Sequence, residues 1–151
     1  MSYIKTVEEW AIKSGFQHLF QESDGAGNVG FDMDFGENRS PALVRGFDDP
    51  KMLQLFIFLP IKAKKSKFND LLQVFNYVYE FLPCGRFTLD DKGEIVFNQN
   101  VTLGDVMPDI SVVEEMVGRA YMFLDFHFSG IAVVASNKLS FEEWKEQLPK
   151  D

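Results

Sequence analysis

Two histidines and one cysteine are the residues of this chain best suited to metal binding or covalent chemistry. A zinc site needs three or four histidine, cysteine or carboxylate ligands at suitable spacing. Asp125 and His127 form an Asp-x-His pair, but residues two apart on a helix face in different directions. We therefore predict no metal site, and we expect packing or surface roles for His18 and His127.

Cys84 lies between Pro83 and Gly85, at the predicted end of a helix. A nucleophilic cysteine needs a stabilised thiolate and a nearby base. The partial negative charge of a helix C-terminus disfavours a thiolate, although Arg86 acts in the opposite direction. We therefore expect a structural or incidental thiol. A lone cysteine cannot form an internal disulfide, which fits a reducing compartment.

Carboxylates also lie close together near residue 30. Asp32 and Asp34 are two apart on a predicted strand, so both face the same side of it. With Asp24 or Glu37 they could bind a divalent cation through oxygen ligands. We favour the alternative, in which they form the solvent-facing side of an alternating strand.

Two further segments resemble cofactor motifs only in their letters. Gly25, Gly27 and Gly30 match G-x-G-x-x-G, but a dinucleotide site needs a helix to begin at the third glycine, and here a strand follows. The loop from Asp90 to Glu94 lacks the order of a calcium loop, and the sequence has no G-x-S-x-G or G-K-[ST] element. We predict that the chain has no cofactor and is not an enzyme.

The charge balance argues against nucleic acid and anionic membranes as partners. The chain has 15 basic and 23 acidic residues, a formal net charge of −8 and a pI near 4.7. Phosphate-binding surfaces need clustered lysine and arginine, and anionic lipids attract the same residues. We expect the one basic run to be a solvated loop, with docking of an acidic partner segment as the alternative; it contains Lys62, Lys64, Lys65 and Lys67.

The sequence also gives an expectation about location. Residues Met1 to Lys5 contain no apolar run of signal-peptide length. The apolar stretch Leu55–Leu59 is far too short to span a bilayer. Cytoplasmic residence is therefore the expectation.

Length and composition predict one folded domain. A chain of 151 residues can bury roughly 70% of the surface that its unfolded form exposes. Its hydrophobic fraction of 46% and its 16 phenylalanines exclude disorder for the bulk of the chain. We assign residues 1–151 to a single domain, with 137–151 as a short C-terminal helical tail.

Helical and extended patterns alternate irregularly along the chain. Two amphipathic helices are predicted, at Ser66–Leu82 and Val112–Phe128. The strand predicted at Met52–Leu59 is nearly all apolar and should be covered on both faces. The order α-β-β-β-α-β-β-α predicts an α+β domain whose antiparallel sheet of about five strands is covered by the two main helices. Capped helix starts are predicted at Thr6–Glu9, Ser111–Glu114 and Ser140–Glu143.

The most informative unit is a helix followed at once by a β-hairpin. Residues 86–89 and 94–97 alternate at period two around a turn in which Gly93 supplies the left-handed residue. Residues 71–77, 85–90 and 93–97 of this unit resemble the YbjN-like family, which consists of bacterial proteins described as candidate sensory transduction regulators. The family pattern is a helix containing an asparagine, a Gly-x-Phe strand and a hairpin partner. Its fold is similar to that of type III secretion chaperones.

The resemblance implies a non-enzymatic module, chaperone-like or regulatory, that binds a polypeptide partner, with a homodimer as an option. It implies no catalytic residues. Aromatic residues beyond the needs of a core are the candidate partner contacts, and packing into the core is their alternative role: Trp10, Tyr77, Phe81 and Trp144. A second hypothesis is a small-ligand- or metal-responsive regulatory domain with a pocket lined by Phe123, Phe126, His127 and Phe128.

Overall fold

The computed structural model describes residues 2–82 and 84–150. The helices are α1 (Tyr3–Ser14), α2 (Phe68–Val78), α3 (Ile110–Ala135) and α4 (Phe141–Glu146). The strands are β1 (Leu19–Ser23), β2 (Ala26–Phe35), β3 (Asn38–Asp48), β4 (Lys51–Lys62), β5 (Arg86–Leu89) and β6 (Glu94–Val101). A 3-10 turn at Lys65–Lys67 leads into α2.

The strands form one antiparallel sheet in the order β1-β2-β3-β4-β6-β5. The predicted α+β class with an antiparallel sheet is confirmed. The predicted count of about five strands becomes six in the described residues, because four strands rather than three precede α2.

The described helices cover one face of the sheet. On that face alternate strand residues are buried, among them Val29, Phe31, Met33 and Phe35 of β2 and Leu53, Leu55, Ile57 and Leu59 of β4. The other β4 residues are half-buried or exposed, and Phe58 is 41% exposed. The prediction that Met52–Leu59 is covered on both faces is therefore wrong, because no described helix lies over the second face.

Helix α1 packs closely against β3. The Tyr3 backbone N–H donates to the Asp48 carboxylate at 2.7 Å, which anchors the first turn of the helix. Gly46 of β3 faces the same turn, and a Cβ at this position would overlap the Tyr3 carbonyl. This close approach fixes how α1 lies on the sheet, and with it the place of Trp10, which is 2% exposed.

Two predicted helix starts are wrong and one is confirmed. The N-cap of α1 is Ser2, whose hydroxyl accepts from the Lys5 N–H at 3.0 Å, and the predicted cap Thr6 is buried inside the helix. The N-cap of α3 is Asp109 rather than Ser111. In both cases an acceptor earlier in the chain bonds the first free N–H groups. The predicted box at Ser140 forms with Glu143 at the start of α4.

A partly buried ion pair links α4 to α2. The Asp70 carboxylate accepts from the Phe141 backbone N–H at 2.8 Å and from the Lys67 ammonium at 3.0 Å. These two bonds, the Phe141 N–H first, hold the pKa of Asp70 below its ordinary value. Lys67 is only 7% exposed, so the expectation of a solvated basic run is wrong for this residue. Its ammonium is paired instead of solvated.

Candidate functional site

Strand β2 has an open edge along its second half. β1 pairs with β2 only as far as Gly30, so within the described residues no strand lies beside Phe31–Phe35 on that side. The two strands are joined by a two-residue turn, Asp24-Gly25, in which both residues have positive φ. In such a turn Ser23 and Ala26 form a hydrogen-bonded pair, so the backbone N–H and C=O of Ala26 point to β1. Along β2 this direction alternates, so every second residue after Ala26 points to the β1 side and the residues between them point to β3. The backbone N–H and C=O groups of Asp32 and Asp34 therefore point to the open edge.

The opposite edge of the sheet is capped at Phe87. Strand β5 is the last strand there, and the side chain of Tyr79, just after α2, lies against it. The Tyr79 hydroxyl accepts from the Phe87 N–H at 2.9 Å and donates to the Phe87 C=O at 3.0 Å. One side chain thus satisfies both outward backbone groups of Phe87. At the β2 edge, no described residue forms hydrogen bonds of this kind with the outward backbone groups of Asp32 and Asp34.

A groove of about 540 Å³ runs beside the open edge, between β2 and helices α1 and α3. Its floor is aromatic. Trp10 meets Phe31 edge to face at 5.4 Å between ring centres, and Phe16 stacks on Phe31 at 5.4 Å. Phe16 is 45% exposed and Tyr121 of α3 is 38% exposed, so apolar ring surface faces solvent along the groove.

Three acidic residues lie along this groove, and the side chains of the two on β2 point to the face of the sheet away from the helices. Asp32, Asp34 and Glu114 line it. Asp34 pairs with Arg39 at 3.1 Å and Glu114 with Lys13 at 3.6 Å, and all four of these side chains are largely exposed. Exposed pairs of this kind contribute little and exchange readily. Asp32 forms no ion pair within the described parts of the chain.

The residues predicted to contact a partner fall in two places. Trp10 lies in the floor of the groove. Tyr77, Phe81 and Trp144 form a second aromatic cluster between α2 and α4, where the Tyr77 ring lies 5.6 Å from each of the other two rings. Phe81 is 62% exposed, whereas Trp144 is 6% exposed and packs inward. Partner contact by these residues stays a prediction. It assumed that their side chains are exposed, which is true of Phe81 but not of Trp10 or Trp144.

The four residues of the alternative pocket do not share a cavity. Phe128 is buried and stacks on Phe35 at 5.9 Å, whereas Phe126 is 78% exposed. Phe123 lies 6.0 Å from the rings of Phe87 and Phe97. The small-ligand hypothesis therefore has no formed pocket at these residues, because the helix points their side chains in different directions.

His127 lies between two aromatic rings, 4.5 Å from Phe123 and 4.8 Å from Phe126. Burial holds its pKa below the ordinary value, because the charged ring loses solvation there.

This shift predicts a pH dependence of stability. The unfolded chain binds the His127 proton more tightly than the folded protein, so the free energy of unfolding should fall as the pH drops through the ordinary histidine pKa of about 6.5. Urea unfolding between about pH 7.5 and pH 5.5 measures this fall. His127→Gln removes the titrating group and should show a smaller fall; an equal fall in both proteins would contradict the assignment.

The described residues contain no group of three or more histidine, cysteine or acidic side chains that could hold a metal ion. Asp24 and Glu37, weighed as partners of Asp32 and Asp34, lie in the turns at opposite ends of β2. In the same residues, no helix is long and apolar enough to cross a membrane.

Sequence reasoning missed the groove and the open edge. The sequence patterns do not bring Phe16, Phe31 and Tyr121 together. The turn positions carry part of the signal, because they give the length of β2 but not that of β1. The turns Asp24-Gly25 and Gly36-Glu37 bound a ten-residue strand, twice the length of the strand before it. Half of that longer strand must therefore lack a partner from β1.

The sheet order and its one-sided helical cover define a fold that other solved structures share. No protein-family model matches the chain, and no curated protein matches it. One similar structure is YbjN from E. coli, described as a candidate transcription regulator, with a TM-score of 0.62 and 13% identity over 93% of this chain and 98% of that one. A second is a chain of the ExsC–ExsE complex, with a TM-score of 0.57 and 13% identity over 82% of this chain and 89% of that one. The predicted YbjN-like, type III secretion chaperone-like fold is confirmed, and at this identity the likeness concerns the fold alone.

Proposed function

We propose that this chain is a non-enzymatic protein-interaction module, chaperone-like or regulatory, that binds an extended polypeptide along the open edge of β2. The observation behind the proposal is the pairing of that edge with the groove. Asp32 and Asp34 offer unpaired backbone groups, and the aromatic floor lies directly beside them. An added strand would form backbone hydrogen bonds with the open edge and would place side chains in the groove.

The capping of the β5 edge at Phe87 supports the choice of β2. A polypeptide that added to β5 would have to displace the Tyr79 hydroxyl from Phe87. At β2, no hydrogen bond between described residues occupies the outward backbone groups of Asp32 and Asp34. The ExsC–ExsE structure is of a complex between two polypeptides on a related fold, which supports a polypeptide partner here.

A second copy of this chain fits the same edge poorly. Two β2 edges pairing around a two-fold axis would bring the Asp32 and Asp34 carboxylates of both copies together. Like charges on facing strands are destabilising. A homodimer would therefore use another face, and a cytoplasmic location in a bacterial cell completes the proposal.

Replacing Asp32 with proline tests the edge directly. Proline removes an N–H that points away from β3, so the pairing between β2 and β3 should survive. We expect decapeptides selected from a random display library against the native protein to bind Asp32→Pro at least about tenfold more weakly, since one backbone bond and close approach are lost. Asp32→Asn keeps the N–H and is the matched control.

Amide hydrogen exchange gives the second readout. Bound peptide should protect the Asp32 and Asp34 amides, and urea unfolding should show that Asp32→Pro remains folded. Protection confined to other strands, or equal peptide affinity for the native protein and Asp32→Pro, would contradict the proposal.

A further inference from the structure

The two faces of an added strand would meet different chemistry at this edge. Residues of β2 alternate, so Phe31, Met33 and Phe35 face the helices and are buried, whereas Asp32 and Asp34 face the uncovered side and are exposed. A residue on a neighbouring strand points to the same side as the residue that it faces. Each added residue would therefore lie beside either aromatic rings or a carboxylate.

On the helix side, an added residue would enter the groove. It would contact the exposed ring of Phe16 and the ring of Tyr121, above the Trp10–Phe31 pair. No described lysine or arginine lines the groove. This side selects apolar or aromatic side chains, since only they gain from covering ring surface.

On the uncovered side, an added residue would stand beside Asp32 or Asp34. Asp32 has no ion pair within the described residues, and the bond from Asp34 to Arg39 joins two exposed side chains. A lysine or arginine of the added strand could pair with the Asp32 carboxylate. Beside Asp34 it could replace Arg39 as the ion-pair partner. An incoming carboxylate would be repelled at both, and the net charge of −8 adds to this repulsion.

We propose that the partner segment alternates apolar and basic residues, with apolar side chains in the groove and lysine or arginine beside Asp32 and Asp34. This inference rests on the proposed function and names the chemistry of its partner. It commits the groove to a cationic polypeptide segment.

The test uses three synthetic nine-residue peptides and the full-length protein. Each peptide has valine or phenylalanine at odd positions, and the even positions are lysine, threonine or glutamate. Affinities are measured by fluorescence anisotropy at low and at high salt. We expect the lysine peptide to bind best and the glutamate peptide at least about tenfold more weakly, with the ratio shrinking at high salt because exposed charges are screened.

Three variants separate the charge from the backbone. In Asp32→Asn/Asp34→Asn, lysine and threonine peptides should bind equally well. In Asp32→Lys/Asp34→Lys, the preference should invert in favour of the glutamate peptide. Asp32→Pro should weaken all three peptides relative to Asp32→Asn, which also lacks the carboxylate but keeps the N–H. Equal affinity of the native protein for the lysine and glutamate peptides, with the Asp32 amide protected, would overturn the alternation and leave the proposed function intact.

Two other outcomes bear on the function itself. Failure of all three peptides to bind or to protect the Asp32 amide would overturn both proposals. Sedimentation of the protein alone tests whether a second copy of the chain occupies this edge. A dimer that dissociates in Asp32→Pro would show that it does, and this result would also overturn the inference.

Discussion

Replacing Asp70 with alanine is expected to lower the free energy of unfolding by about 3 kcal/mol. The change leaves the Lys67 ammonium, only 7% exposed, without its partner, and the Phe141 N–H without its acceptor. An unpaired buried charge is the main cost, because the ammonium has lost its water. Calorimetry should find a melting temperature lower by roughly 6 to 12 °C.

A double variant identifies the cause of this loss. In Lys67→Met/Asp70→Ala the buried charge is absent, and an apolar side chain of similar length lies in its place. We expect the double variant to regain at least half of the lost stability, since buried ion pairs are often replaceable by apolar residues. A double variant as unstable as Asp70→Ala would show that the bond to Phe141, and not the stranded ammonium, accounts for the loss.

Replacing Trp10 with alanine is expected to lower the free energy of unfolding by about 4 kcal/mol. Trp10 is 2% exposed and contacts both Phe16 and Phe31, so truncation opens a large cavity beneath the groove. The loss combines the transfer free energy of the indole ring with the cost of that cavity. Denaturant unfolding followed by far-UV circular dichroism measures it.

Trp10→Phe is the matched control, because it keeps an aromatic ring and should lose less than half as much stability. The pair also decides between the two roles of Trp10. If Trp10 supports the groove from below, peptide affinity and stability should fall together across the two variants. Loss of peptide binding by Trp10→Ala with unchanged stability would instead indicate a direct partner contact.

Local sequence patterns were sufficient to predict the turns and helices that are stabilised by residues close together in the chain. The hairpin of β5 and β6 forms around Gly93, whose φ of 87° is the left-handed conformation that the turn requires. Helix α1 ends at Gly15, which is also left-handed. The amphipathic segments predicted as α2 and α3 are helices, although α3 runs seven residues further, to Ala135. In these cases the residues that determine the structure are neighbours in the chain.

Burial of the predicted contact residues was beyond sequence reasoning. A tryptophan that follows a capped helix start has the same local pattern whether it faces solvent or the core. Trp10 and Trp144 are both buried because Phe31 of β2 and Tyr77 of α2 pack against them, and each of these partners lies more than 20 residues away in the chain. Lys67 is also buried, and the Asp70 carboxylate that pairs with it accepts a hydrogen bond from Phe141, 71 residues further along the chain.

The sequence by itself determined the fold class, the order of most elements and the lack of a catalytic motif, because periodicity, turn residues and side-chain chemistry are written locally. It also placed Asp32 and Asp34 on the polar side of a strand. Only the tertiary structure decided that β2 is longer than its neighbour β1 and that Tyr79 caps Phe87 at the other edge of the sheet. It also decided that aromatic rings from three elements form a groove beside the open edge of β2. Strand pairing and packing bring together residues that are distant in the chain. The relative lengths and positions of the strands and helices therefore depend on the whole core rather than on any one segment.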